Sequence, residues 1–147
     1  MYKHILVPTD GSKLSTKAIR VAARMAKMCQ ARLTGLSVIP PHVPPVYAEG
    51  VMYGGISSSN YKELRQKEAK KALAVVDIEA QTSRLQASTM FLTADQPWRA
   101  IIDTARTKKC DLIVMASHGR RGLSGLLLGS ETAKVLTHSK IPVLVCR

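Results

Sequence analysis

A chain of 147 residues with 46% hydrophobic content is long enough for one domain with a real core, and its composition is that of an ordinary globular protein. No apolar run approaches the roughly 18 residues a membrane span needs, and the opening Tyr2-Lys3-His4-Ile5-Leu6-Val7 has no signal-peptide pattern, so the expected setting is cytoplasmic, with no membrane partner. The formal charge of +12 admits an anionic partner, but one Trp and one Phe leave little for base stacking, and nucleic acid is not expected.

The elements follow in chain order. Ile5 to Val7 reads as a short buried strand ended by Pro8. Thr9-Asp10-Gly11-Ser12 is a loop and helix-cap cluster. A helix from about Leu14 to Gln30 carries Lys13, Lys17, Arg20, Arg24 and Lys27 along one stripe, with Ala18, Val21, Ala22 and Met25 on the opposite, buried one. The basic stripe reads either as a solvated face or as a partner site. Arg32 to Val38 is a second strand. Ile39 to Asn60, with its Pro40-Pro41 and Pro44-Pro45 pairs, reads as a loop that cannot be regular throughout. A second helix covers about Tyr61 to Ser83, and Ala87 to Leu92 forms a third strand. Pro97 opens a third helix with Trp98, Ile101, Ile102 and Ala105 as its apolar stripe. Leu112 to Met115 is the fourth strand, Ser130 to about His138 the last helix, and Val143 to Cys146 the final strand. Cys29, Cys110 and Cys146 cannot all pair within one chain and show no metal-ligand spacing, so buried free thiols are expected.

Alternation of strands and helices from end to end predicts a single doubly wound α/β domain. Its sheet has five mostly parallel strands with helices on both faces. In such sheets a ligand sits beyond the carboxyl ends of the strands, where strand order reverses. The loops after the first and fourth strands are therefore the site candidates. The second of these runs from Met115-Ala-Ser-His-Gly119 through Gly122 and Gly125 to Gly129-Ser130. It reads as strand, glycine-rich loop and helix N-terminus. Glycine lets an anion approach backbone N–H groups closely, and the unpaired N–H groups and dipole of a helix start favour phosphate. A long surface loop with glycines for its turns is the plain alternative. No G-x-x-x-x-G-K-[ST] occurs, and no G-x-G-x-x-G follows the first strand, which argues against a P-loop NTPase and a dinucleotide Rossmann site.

The chain resembles the universal stress protein (UspA-like) family over its whole length. The resemblance rests on Ile5-Leu6-Val7-Pro8-Thr9-Asp10-Gly11-Ser12, on Ala116-Ser-His-Gly119, on Gly129-Ser130, and on Ile141-Pro-Val-Leu-Val145. ATP-binding members carry G-x2-G-x9-G-[ST]. Here Gly119 matches the second glycine and Gly129-Ser130 the closing pair, while Ala116 replaces the first glycine. Its added methyl group fits if φ is negative there. The resemblance implies ATP as ligand, optionally with Mg. It places Asp10 at the ribose hydroxyls or at a metal beside the phosphates, contacting Mg indirectly if at all, and no protein metal site is expected. Val38 would meet adenine. Gly119, Arg120, Gly129, Ser130 and Thr132 would surround the phosphates, with His118 bonding to one of them, and Pro8, Thr9, Met115, Ala116, Gly122 and Glu131 complete the expected nucleotide-binding residues. From the residues alone, Asp10 and Ser130 serve equally well as helix N-caps, Val38 as core packing, and His118 as a loop holder. Glu131 suits a helix N-terminus but would repel a triphosphate unless it points away.

The resemblance also implies a homodimer joined through the final strands. No nucleophile with a base and no metal-ligand cluster stands out, so no catalytic residue is expected. The reading is an ATP-binding protein of nucleotide-dependent stress signalling or protection. The rivals are a slow Mg-dependent ATPase and a nucleotide-free dimeric interaction module with a basic surface.

Overall fold

Among the described residues the elements run in the order β1 (His4–Pro8), α1 (Lys13–Cys29), β2 (Arg32–Ile39), β3 (Val46–Ala48), β4 (Val51–Tyr53), α2 (Ser58–Ser83), β5 (Ala87–Thr93), α3 (Pro97–Thr107), β6 (Leu112–Ala116), α4 (Ser130–His138) and β7 (Val143–Cys146). The computed structural model describes residues 1–43, 46–48, 51–53, 57–120 and 128–147. Five strands form one sheet in the order β5-β2-β1-β6-β7, and every neighbouring pair in it is parallel. The chain winds outward from β1 to β2 and β5, then returns to the other side with β6 and β7. Strand order therefore reverses between β1 and β6.

Strand pleating sorts the core into two layers. Ile5, Val7, Leu33, Leu112 and Val114 face α1 and α2, meeting Ala18, Ile19, Ala22, Ala26 and Val76. Leu6, Leu36, Ile113 and Met115 face α3 and α4, meeting Ile101, Ala105 and Val135. Burial on both faces is why these strands read as continuous apolar runs. The buried stripe of α1 is Ala18, Ile19, Ala22, Ala23 and Ala26, whereas Val21 and Met25 are only half-buried. Small side chains let α1 lie close to the sheet and push those larger ones to its margin. On β2, Gly35 has no room for a side chain: a Cβ would stand 2.8 Å from Cγ2 of Val76.

Two expectations need adjustment. The segment between β2 and α2 holds a short antiparallel ribbon, with Val46 opposite Tyr53 and Ala48 opposite Val51. Helix α2 also starts earlier than expected, because the Ser57 hydroxyl accepts the Asn60 N–H at 3.3 Å and caps it. At the amino end of the sheet, Asp111 accepts the N–H groups of Lys3 (2.7 Å) and His4 (2.9 Å). Buried His4 lies 2.8 Å from the Thr34 hydroxyl, which in turn lies 3.1 Å from that of Ser88, a polar line across β1, β2 and β5. Cys110 and Cys146 are buried and Cys29 is half-buried, all as free thiols. Burial, aided by Asp111, pushes the Cys110 thiol up to about 11.

Candidate functional site

The crevice at the reversal of strand order lies between the carboxyl ends of β1 and β6. After β1, Thr9 turns inward: its buried hydroxyl lies 3.0 Å from that of Ser15 and accepts the Gly11 N–H at 3.2 Å. Gly11 takes φ +78°, a left-handed turn that glycine adopts without strain. Ser12, not Asp10, is the N-cap of α1, accepting the Ser15 N–H at 3.1 Å.

Asp10 is thereby released for a different task. Its Oδ1 accepts the Ser12 N–H at 3.0 Å, and its Oδ2 accepts the Arg120 N–H, from the loop after β6, at 2.7 Å. The carboxylate clasps the two site loops together. Burial pushes its pKa up, but hydrogen bonds from Ser12, Arg120 and Ser15 outweigh that and hold it below the ordinary aspartate value. Gly119 sits against the clasp so tightly that a Cβ there would come 2.5 Å from Asp10 Oδ2.

The loop after β6 is pinned at its neck. Ser117 is buried, its N–H donates to the Cys146 carbonyl, and its own carbonyl accepts the Gly129 N–H, both at 2.7 Å. The N-cap of α4 is Gly129 and not Ser130. A glycine cap offers no side chain to the first N–H groups of α4, and helix geometry gives those groups no acceptor of their own. A Cβ at Gly129 would stand 3.1 Å from the Cα of His118. Ala116 lies in extended backbone at the end of β6, and its φ is not positive, so the methyl group that replaces the family glycine is accommodated.

The other expected residues divide into two sets. Val38 stands near the crevice. The Leu36 carbonyl points toward β1, where it accepts the Thr9 N–H at 2.8 Å. Strand alternation turns the Val38 N–H and carbonyl the same way, two residues beyond the last β1 pairing, Pro8 with Leu36. Its side chain packs on the α3/α4 layer. Pro8 is half-buried, as is His118, whose Nδ1 lies 3.2 Å from the Ser117 hydroxyl, while Gly119 and Ser130 are exposed. Met115, Ala116 and Thr132 are buried, and the Thr132 hydroxyl donates to the Ala116 carbonyl at 2.9 Å, tying α4 to β6.

Two side chains turn away from the crevice. Glu131 accepts the Trp98 N–H at 2.9 Å and lies 3.3 Å from Lys134. It thus supplies the cap that Gln96, the N-cap of α3, does not make with its own side chain. Arg120 reaches toward α2, where its guanidinium lies 3.5 Å from Glu68, itself 2.9 Å from Arg65. Gly122 and Gly125 lie outside the described residues. Sequence reading missed Ser117, whose neck bond spans twelve positions, and Glu68, which no spacing could connect to Arg120.

A profile of the universal stress protein family matches residues 1–147. This chain belongs to the universal stress protein family. Among its relatives, universal stress protein MJ0531 of Methanocaldococcus jannaschii is 35% identical over 150 residues, covering 100% of this chain and 83% of the relative. YxiE of Bacillus subtilis is 32% identical over 151 residues, covering 100% of both chains. UspA from Lactobacillus plantarum, a solved structure, superposes with a TM-score of 0.80 at 26% identity, over 99% of this universal stress protein and 98% of that chain. Two further solved universal stress proteins share the fold at a TM-score of 0.73. One is in complex with cAMP, the other, from Archaeoglobus fulgidus, with dAMP. Among the described residues, no helix is long and apolar enough to cross a membrane.

Proposed function

We propose that this universal stress protein binds ATP in the crevice between the ends of β1 and β6 and acts as a nucleotide-responsive stress protein. The observation that carries the reading is the start of α4. There a glycine cap without a side chain leaves the first-turn N–H groups open, beside a loop held in place by Asp10 and by the Ser117–Gly129 neck. That is the donor set a phosphate group takes. In this reading Ser130, Gly119 and the backbone of the first α4 turn meet the phosphates, and the Val38 backbone meets the base. Asp10 faces the ribose hydroxyls, or Mg through a water. His118 lines the loop. Met115, Ala116, Thr132, Pro8 and Thr9 frame the pocket, and Glu131 leaves it free of repulsion by turning to α3. The cAMP and dAMP held by other members support an adenine nucleotide as the ligand class. The free thiols support a reducing, cytoplasmic setting.

The test is thermal unfolding with and without nucleotide. A ligand that binds only the folded state stabilises it by about 2.7 kcal/mol at 100 times its Kd, roughly 5–10 °C in Tm for a domain of this size. ATP at millimolar concentration is expected to give such a shift, and Ser130→Pro, which keeps the helix start but removes one donor, is expected to reduce it. No shift with ATP, AMP or cAMP overturns the reading. Incubation with Mg and ATP, followed for phosphate release, separates binding from slow hydrolysis.

A further inference from the structure

Strand β5 is an edge of the sheet, and an edge strand presents a row of backbone groups with no ladder partner. Natural edges are usually blunted by charge, proline or a bulge. This one is seven residues long, Ala87–Thr93, with neither charge nor proline. Met90, Phe91 and Leu92 are only half-buried. A groove flanks the strand on each face. The one beside α3 has a volume of about 530 Å³ and takes Met90 and Leu92 into its wall. The one beside α2 measures about 410 Å³ and takes Thr89, Phe91 and Leu73.

The charges on the rims say what fits. Along the α3 groove they run Asp95, Arg99, Asp103, Lys108, which is minus, plus, minus, plus. Read in reverse, the same row runs plus, minus, plus, minus. Along the α2 groove the charges are Lys70 and Asp77, again opposite under reversal. Helical spacing puts exposed Ala74 on the same face between them, a small residue at the centre of the row. A row that complements its own reversal matches a second copy turned by a two-fold axis. An axis normal to the sheet, passing beside Met90, sets two β5 strands antiparallel with like helices on like faces. Asp95 then comes to the level of the partner's Lys108, Arg99 to that of the partner's Asp103, and Lys70 to that of the partner's Asp77. Such an interface is isologous.

We infer that the β5 edge is a self-association surface, at which a second copy of this chain pairs its own β5 antiparallel and closes both grooves. The inference is independent of nucleotide binding and of pairing at β7, which lies on the opposite edge of the sheet.

Sedimentation equilibrium of the full chain tests it by charge exchange at two exposed positions. Asp77→Lys sets lysine against lysine at two symmetry-related places and is expected to raise the dissociation constant roughly tenfold. Lys70→Asp combined with Asp77→Lys restores the complement and is expected to return association to the wild-type value. The same pattern is expected in a Val145→Lys background, which removes any contribution of β7. Far-UV circular dichroism checks that the variants are folded. A chain that stays monomeric up to 100 µM overturns the inference, as does association unchanged by Asp77→Lys or left unrestored by the double exchange. The edge is then free for an extended segment of another protein.

Discussion

Replacing Asp10 by Asn tests the clasp between the two site loops. Both carboxylate oxygens accept backbone N–H groups, at 3.0 Å from Ser12 and 2.7 Å from Arg120. An amide has the same shape but one acceptor. Whichever way it turns, its NH2 group faces a backbone donor, and one bond becomes a repulsive contact. A hydrogen bond to a charged group contributes about 1.5–3 kcal/mol when buried. The Arg120 bond is exposed, and solvent screening discounts that figure to about 1–2 kcal/mol. For a domain near 150 residues this lowers Tm by roughly 3–6 °C. The pH dependence follows from the depressed pKa of Asp10. A group with a lowered folded-state pKa contributes fully above its unfolded value, near 3.9, and loses that contribution as pH falls through its folded value. Thermal unfolding followed by circular dichroism should therefore separate wild type from Asp10→Asn at pH 7, with the gap closing below about pH 4. Equal melting temperatures at pH 7, or a gap of constant size at every pH, would refute the clasp.

Gly119→Ala places a methyl group against Asp10 Oδ2. It should open the same clasp and abolish most of the ATP-induced rise in Tm, and an unchanged rise in a thermal-shift titration would count against the pocket as drawn. Glu131→Gln should lower stability by about 1 kcal/mol through the weakened α3 cap yet leave the ATP shift intact, since the carboxylate turns to Trp98; loss of the ATP shift on titration would place it in the pocket after all. Val145→Lys on the β7 edge should shift the protein toward smaller species in sedimentation velocity, and an unaltered profile would argue against pairing there. His4 is held below its ordinary pKa by burial and by Arg32. The unfolded chain therefore takes up a proton near pH 6.5 that the folded state resists, and stability falls as pH drops below that value. His4→Gln should flatten this loss when urea unfolding is compared at pH 7 and pH 5, and an identical loss would assign it to other groups.

The inner strands were legible because they are buried on both faces and rich in apolar residues, as Leu112 to Val114 is. Alternation with helices then implied the parallel sheet, and the reversal between β1 and β6 implied where the crevice lies. Local chemistry was less legible where neighbours compete for one task. Asp10 and Ser12 both suit an N-cap, and only the fold shows that Ser12 takes it while Asp10 reaches a partner 110 positions away. Ser130 yields the α4 cap to Gly129, whose N–H is bonded to Ser117, a residue twelve positions back. The destination of Glu131 depends on α3 packing beside α4, which no spacing encodes. The ribbon of β3 and β4 was hidden by the prolines and glycines around it.

The neck bond between Ser117 and Gly129 closes the loop at its base, and the Asp10 clasp on Arg120 holds it a second time three residues on. The two ends of the neck are held by the sheet, by Cys146 and by the first turn of α4. Lengthening such a loop costs mainly loop-closure entropy, about 0.6 kcal/mol for each doubling. A longer connection between the Asp10 clasp and the neck leaves both bonds in place, so its length can change at small cost to the domain.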